Sequence, residues 1–276
     1  MLAIMKMPQL IICTMVWHLL LLGVTGHIVP IVVTNKCPFT IWPATAPNTG
    51  HQVTANGGFT LKAEQSSTIH TPWDWSGRIW ARTGCNFKAE STNTTTNPLT
   101  LKPACQTGDC DGRLECNGLT GKPPATLVEL TLHSDKNHPS FYDVSLVDGY
   151  NLPISVIAGR SSLDCAIRGC VRDLKDFCPL ELQVKDGRGD VVACKSACLE
   201  FDMDRFCCRN EYGSPEKCKP SLYSSLFKGA CPSYVSYAFD SPSPLVSCLV
   251  KELFVTFCPA GWGDRHGSHL EQYASY

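Results

Sequence analysis

The chain has 276 residues, including 17 cysteines, 21 glycines and 19 prolines, and only 18% of its residues are charged. The 24 Lys and Arg residues nearly balance the 25 Asp and Glu residues. This composition excludes an intrinsically disordered chain, which would be less hydrophobic and more strongly charged, and argues against a nucleic-acid-binding protein, which would show a basic excess. The length is sufficient for a substantial core, so the cysteines are not needed to compensate for a small one.

The N-terminal segment, residues 1–26, predicts a secretory signal peptide. Lys6 precedes an apolar run from Leu10 to Val24, and small residues lead to a cleavage position after Gly26. A transmembrane anchor is the alternative, but His18 interrupts the run, which is shorter than the ~20 apolar residues of a typical span. Removal of this segment leaves 16 cysteines and a net charge of −2. The even count predicts eight disulfides in an oxidising, extracellular compartment, and no membrane anchor is expected.

The first strands are predicted by short β-branched and aromatic runs between turn residues. In one of these runs, side-chain alternation places Arg78, Trp80 and Arg82 on the same face. In another, Glu129 and Thr131 lie opposite the apolar residues. The predicted strands are Ile28–Thr34, Thr40–Trp42, Phe59–Lys62, Arg78–Thr83, Leu127–Leu132, Phe141–Val147 and Leu253–Phe257.

Helix is expected mainly between Cys165 and Cys231, where apolar residues fall at helical spacing after Pro220. The pattern as a whole predicts a mainly β fold, a β-sandwich with a disulfide-rich loop and helix subdomain. Metal ligation is the alternative use of the cysteines, but they form no CxxC knuckles and no histidine pair lies beside them. No metal or cofactor is therefore expected. Adjacent Cys207 and Cys208 are expected to pair in different directions, and spacing alone leaves the remaining connectivity open.

Six ordered blocks of sequence resemble the thaumatin-like proteins, the fifth group of plant pathogenesis-related proteins. The most specific block runs from Cys105 through Cys110 to Cys116. The other blocks are Asn35–Trp42, Trp75–Cys85, Lys122–Leu127, Tyr142–Asn151 and Phe257–Pro259. The resemblance covers nearly all of residues 28–259, and the sixteen cysteines occur in the family order.

The resemblance implies a thaumatin-like domain over residues 27–259, with a small looped subdomain at 85–120, a disulfide-rich subdomain at 151–235 and a C-terminal extension at 260–276. It also implies eight disulfides. They would be Cys37–Cys258, Cys85–Cys105, Cys110–Cys116, Cys165–Cys248, Cys170–Cys231, Cys178–Cys194, Cys198–Cys207 and Cys208–Cys218.

The family has an acidic cleft between its sandwich and its disulfide-rich subdomain, and the resemblance assigns this cleft to Arg78, Glu129, Asp143, Asp148 and Asp240. Clustered carboxylates raise one another's proton affinity and can bond several sugar hydroxyls. Asp143 and Asp148 would point oppositely on a straight strand, so they converge only if the chain bends near Val147 or if Asp148 lies in a turn. Trp80, on the face of Arg78, is an aromatic residue that could accept a sugar ring or stack under the guanidinium.

Two departures from the family pattern affect these expectations. The segment between Cys85 and Cys105 is longer than is common in the family and carries a glycosylation sequon at Asn93. Ser241 replaces the second acid of a pair common in the family, so Asp240 carries the fifth cleft position alone.

Three functions are consistent with the resemblance. The first is a secreted, monomeric antifungal defence protein of the apoplast or cell wall that binds fungal or plant wall β-1,3-glucan in the acidic cleft. The second is a weak endo-β-1,3-glucanase with Glu129 and Asp143 as the candidate catalytic pair, and the third is an inhibitor of microbial hydrolases. Binding is favoured over catalysis, because an acidic groove does not by itself position a nucleophilic water. Near-neutral charge argues against a sweet-taste role and against electrostatic attack on membranes.

Overall fold

The computed structural model describes residues 28–87, 103–135, 137–159 and 163–259. The predicted signal peptide, Asn93 and the C-terminal extension lie outside these residues. Twelve strands are described: β1 Ile28–Asn35, β2 Trp42–Pro47, β3 Ser66–Pro72, β4 Ser76–Arg82, β5 Leu127–Thr131, β6 Ser140–Ser145, β7 Ile154–Ala158, β8 Ala166–Ile167, β9 Gln183–Lys185, β10 Val191–Cys194, β11 Val246–Cys248 and β12 Leu253–Phe257.

The strands form two five-stranded sheets that share one core, as expected for a β-sandwich. The first sheet has the order β3-β1-β12-β7-β8 and the second has the order β11-β6-β5-β4-β2. β1 and β12, near the two ends of the described chain, pair in parallel, whereas the other strand pairs of both sheets are antiparallel. A separate antiparallel pair, β9 and β10, belongs to the disulfide-rich region.

The core follows from the alternation of side chains along each strand. In β1, Val29, Ile31 and Val33 are fully buried, while the residues between them are only partly buried. Val128 and Leu130 of β5 face the same core from the second sheet. Because period-two alternation buries one face of each sheet, the opposite face of β4, β5 and β6 remains available for polar residues.

Helices occur late in the described chain, as the sequence predicts: α1 Ala197–Phe201, α2 Asp204–Cys207 and α3 Leu222–Ala230. α3 begins with a capping box in which Ser221 and Ser224 bond each other's backbone N–H groups. No helix in the described ranges is long and apolar enough to cross a membrane.

Some predicted strands are shorter than the sequence pattern suggests. The runs at Thr40–Trp42 and Phe59–Lys62 meet only in isolated bridges, such as Ile41 with Leu61. The predicted strand from Phe141 to Val147 ends at Ser145, where a turn begins. The sequence patterns do not predict β3 or β7 to β11, and of these strands β8 to β11 are only two to four residues long.

Eight disulfides join cysteines of the described residues, and each pair is one that the family resemblance implies. Adjacent Cys207 and Cys208 bond to different partners. The pairs are Cys37–Cys258, Cys85–Cys105, Cys110–Cys116, Cys165–Cys248, Cys170–Cys231, Cys178–Cys194, Cys198–Cys207 and Cys208–Cys218.

A buried arginine attaches the small looped region to the second sheet. Arg82 is fully buried, and its guanidinium donates to the carbonyl oxygens of Trp42, Arg113 and Leu114 at 3.0, 2.6 and 2.9 Å. Burial lowers the pKa of Arg82 to about 10, with a smaller opposing effect from the charge of Asp109. Arg82 therefore holds the loop around residues 113–114 against β2 and β4.

Candidate functional site

Three of the five predicted cleft residues form one row across neighbouring strands. Arg78 of β4 is directly opposite Glu129 of β5, and Glu129 is directly opposite Asp143 of β6. Opposed residues of antiparallel strands have Cβ atoms about 4.5–5.5 Å apart and project to the same face. The sheet register therefore brings one guanidinium and two carboxyl groups together on the outer face of the second sheet.

The guanidinium binds the central carboxylate of the row. Arg78 Nε donates to Glu129 Oε1 at 3.0 Å, and the two side chains are 40% and 39% exposed. An ion pair this exposed contributes at most about 1 kcal/mol to stability. The ion pair matters more for the charge of the site than for stability, because Arg78 offsets the charge of Glu129 and leaves both side chains accessible to a ligand.

Asp143 lies in a more enclosed environment than Glu129. Its Oδ1 is buried and has no hydrogen-bond partner among the described residues. Burial, together with the neighbouring negative charge of Glu129, raises the pKa of Asp143 to about 7. At neutral pH this carboxyl group therefore exchanges readily between its protonated and ionised forms, so it can donate or accept a hydrogen bond.

Asp148 lies in the turn that follows β6, not on the strand. Gly149 donates to the carbonyl of Leu146 at 2.9 Å, and the carbonyl of Asp148 accepts from Ala125 at 3.0 Å. The turn requires Gly149, because its φ is +89° and an added Cβ would lie 2.6 Å from the Cβ of Pro124. Asp143 and Asp148 are therefore not on one straight strand, and the argument that their side chains must point to opposite faces does not apply.

Asp240 is bound by α3 and by the segment that follows this helix. Its Oδ2 accepts from Lys228 Nζ of α3 at 3.0 Å and from the backbone N–H and hydroxyl of Ser236 at 2.8 and 3.0 Å. The side chain is only 6% exposed. This carboxylate therefore stabilises the loop after α3 and has little capacity left for a ligand.

The expectation that Trp80 offers a ring to a sugar is wrong. Trp80 is 1% exposed and its Nε1 donates to the carbonyl of Gly108 at 2.8 Å. It packs with Ala44, Cys110 and Cys116 in a second, smaller core. The looped region covers this end of the sheet face, so Arg78 is the accessible member of the three residues that share the face in β4.

The structure adds two features that the sequence reasoning missed. Phe141, two residues before Asp143 on β6, is an exposed aromatic residue on the same face. Alternation alone could have identified it. A small surface pocket also lies between Val147, the helices and the loop at 236–238, and it is lined by aromatic rings that include Phe206, Tyr223 and Tyr237. Its walls come from distant segments, so no local pattern indicates it.

No group of three or more His, Cys, Asp or Glu side chains in the described part of the chain is arranged to hold a metal ion. The row itself offers three polar side chains to a ligand. A guanidinium, an ionised carboxylate and a carboxyl group that titrates near neutrality can bond several hydroxyl groups of one ligand, as donors and as acceptors.

Comparison with known proteins places these features in a family. Residues 35–259 match the model of the Thaumatin family. The chain is 48% identical over 232 residues to an osmotin-like protein of Solanum lycopersicum, covering 83% of this chain and 88% of the relative. It is 45% identical over 225 residues to pathogenesis-related protein 5 of Arabidopsis thaliana, covering 82% and 88%.

Among solved structures, a laminaripentaose-producing β-1,3-glucanase in complex with laminaritetraose aligns with a TM-score of 0.56. The alignment covers 84% of this chain and 99% of the glucanase at 11% sequence identity. At this identity the match shows a shared fold and carries no residue assignments.

Proposed function

The chain belongs to the thaumatin family, and from this premise we propose that it is a secreted plant-defence protein that binds β-1,3-glucan of microbial or plant cell walls. The observation that carries the proposal is the row of Arg78, Glu129 and Asp143 on the outer face of the second sheet. The relatives of the chain include one named pathogenesis-related protein 5, which supports a role in defence. The row supplies the side chains that would bind the glucan.

The row suits a neutral polysaccharide because it is polar without a large net charge. Arg78 offsets Glu129, and Asp143 is partly protonated at neutral pH since its pKa is raised to about 7. Sugar hydroxyls both donate and accept hydrogen bonds, so they match a site that offers an ionised carboxylate, a guanidinium and a carboxyl group of variable protonation. Antifungal activity would follow from attachment to wall glucan.

A second candidate function is weak endo-β-1,3-glucanase activity, and the raised pKa of Asp143 favours it. Glycoside hydrolysis needs one protonated carboxyl group as acid and one ionised carboxylate as base or nucleophile. Asp143 and Glu129 have these properties.

The test uses insoluble β-1,3-glucan and measures both retained protein and released reducing sugar. Wild type is compared with Glu129→Gln and Asp143→Asn. The matched control is Asp240→Asn, because the same acid-to-amide change there removes a carboxylate that Lys228 and Ser236 already occupy. Loss of one charge-assisted hydrogen bond to the glucan should weaken retention about tenfold for Glu129→Gln and leave the control unchanged.

The outcomes separate the candidates. Retention without sugar release identifies a binding protein, whereas release that Glu129→Gln abolishes identifies a glucanase. If wild type is neither retained nor active, glucan recognition is wrong, and inhibition of microbial hydrolases becomes the function to test.

A further inference from the structure

An exposed aromatic ring lies beside the acidic row on the same face of the sheet. Phe141 and Asp143 are two residues apart on β6, so their side chains project to the same side about 7 Å apart along the strand. Tyr142 between them is fully buried, whereas Phe141 is 41% exposed. Packing in the core therefore explains the position of the Tyr142 side chain, but it does not explain why an aromatic side chain is on the surface at Phe141.

Polar groups flank this ring across the sheet. Phe141 is directly opposite Thr131 of β5 and Ser247 of β11, and both of these residues are exposed. The hydroxyl of Thr131 bonds that of Ser76 at 2.9 Å. The ring is consequently bordered by hydroxyl groups on both sides, an arrangement suited to a ligand with an apolar face and polar edges.

Two histidine rings lie in the connection between β5 and β6, beyond the end of the acidic face. His133 and His138 stack with ring centroids 4.8 Å apart and an interplanar angle of 25°. Asp135 holds both rings: its Oδ2 is 2.9 Å from His138 Nδ1, and its backbone N–H donates to His133 Nδ1 at 3.0 Å. The His133 backbone N–H donates to the hydroxyl of Ser140 at 3.1 Å, which attaches the stack to the start of β6.

These features point to a binding surface longer than the acidic row. We propose that the β5–β6 hairpin forms a stacking platform, made of Phe141, His133 and His138, for the sugar residues of a glucan next to the residue held by Glu129 and Asp143. The inference rests on the proposed function and extends it to specific subsites. The carbon-bound hydrogens of a sugar ring present an apolar face to a flat aromatic ring, while its hydroxyl edges reach Thr131 and Ser247.

The dimensions of the hairpin agree with a chain of several sugars. Successive same-face positions on a strand are about 7 Å apart, so Thr131 and Phe141, which lie opposite each other, are about 7 Å beyond the acidic row, and the loop that carries His133 follows the end of β5. This distance accommodates an additional sugar residue. A disaccharide at the acidic row would leave most of the platform empty, so affinity should depend on chain length.

The experiment measures binding of β-1,3-gluco-oligosaccharides of two to six residues by titration calorimetry. For wild type, affinity should rise about tenfold from the disaccharide to the longer chains, as expected when one or two aromatic contacts are added. Phe141→Leu should lose most of this gain and Phe141→Trp should keep it. His138→Ala should lose part of the gain for the longest chains only.

The matched control is Phe39→Leu, because Phe39 is also 41% exposed but lies in the segment between β1 and β2. This variant should bind like wild type, and melting temperatures of all variants should agree because the substituted rings are exposed. Unchanged length dependence in Phe141→Leu, or no length dependence in wild type, overturns the platform but not the glucan site. Glu129→Gln should weaken binding at every length, and a wild type that binds no oligosaccharide overturns both proposals.

Discussion

Glu129 and Asp143 lie directly opposite each other on antiparallel strands, and Arg78 binds the Glu129 side of the pair. The two acids therefore have different environments although they share one face. Glu129 is partly exposed beside a cation, whereas Asp143 is more buried and has an unpartnered buried oxygen. Burial and the neighbouring charge of Glu129 raise the pKa of Asp143, and a carboxyl group with a raised pKa beside a second carboxyl group is an arrangement that both sugar binding and acid catalysis can use.

Glu129→Gln should lower the pKa of Asp143 from about 7, because the substitution removes the negative charge that disfavours ionisation while burial remains. Carbon-detected NMR titration of the Asp143 carboxyl group measures the change. Asp135 is the internal control. Hydrogen bonds, chiefly from the backbone of Asn137, lower the pKa of this exposed carboxyl group, and Glu129 does not contribute to the shift. An unchanged Asp143 titration would mean that burial alone sets its proton affinity.

Asp143→Asn should change the pH dependence of stability. The folded-state pKa of Asp143 is about 7, well above the ordinary value of 3.8 for an aspartic acid side chain, so the folded protein holds a proton that the unfolded chain releases. This contribution stabilises the fold at low pH and is lost as pH rises from about 4 through 7.

The variant should therefore be more stable than wild type at pH 8 by roughly 1–3 kcal/mol and nearly equal to it at pH 4. Melting temperatures measured by calorimetry at the two pH values test this. A constant difference at both pH values would contradict the assigned proton.

Arg82→Met should destabilise the protein by about 3–5 kcal/mol, because it leaves the buried carbonyls of Trp42, Arg113 and Leu114 without a donor. Calorimetry measures the loss, and hydrogen exchange should increase most around residues 113–114. Arg113→Met is the control, since the Arg113 side chain is exposed and only its carbonyl bonds Arg82. Equal effects of the two substitutions would contradict the conclusion that the Arg82 side chain holds the loop around residues 113–114.

Gly149→Ala should cost more than about 2 kcal/mol, because the residue has φ +89° and the new Cβ would meet Pro124 and the carbonyl of Cys194 at 2.6 and 2.7 Å. The displaced turn carries Asp148, so retention on glucan should show whether Asp148 contributes to binding. Gly229→Ala is the matched control, since Gly229 lies in α3 with nothing within 4 Å of an added Cβ. It should stabilise the protein by about 0.5–1 kcal/mol, and thermal unfolding distinguishes the two.

Alternation along single strands predicted much of the sandwich. It identified β1, β4, β5, β6 and β12 and placed Glu129 opposite the apolar residues of its strand. It did not reveal β3, β7 or the short strands β8 to β11, and the last four have only two to four residues each, too few to show alternation. Spacing left the disulfide connectivity open, and the pairs came from the family resemblance.

The sequence by itself determined the class of fold, the region in which the helices occur and the residue types of the acidic row, since these depend on local periodicity and on recognisable motifs. Tertiary structure decided which of these residues are accessible to a ligand. Strand register joins Arg78, Glu129 and Asp143, whereas loop packing buries Trp80 and an ion pair with α3 engages Asp240. Accessibility depends on which segments cover a face, and contacts between segments far apart in the chain decide that.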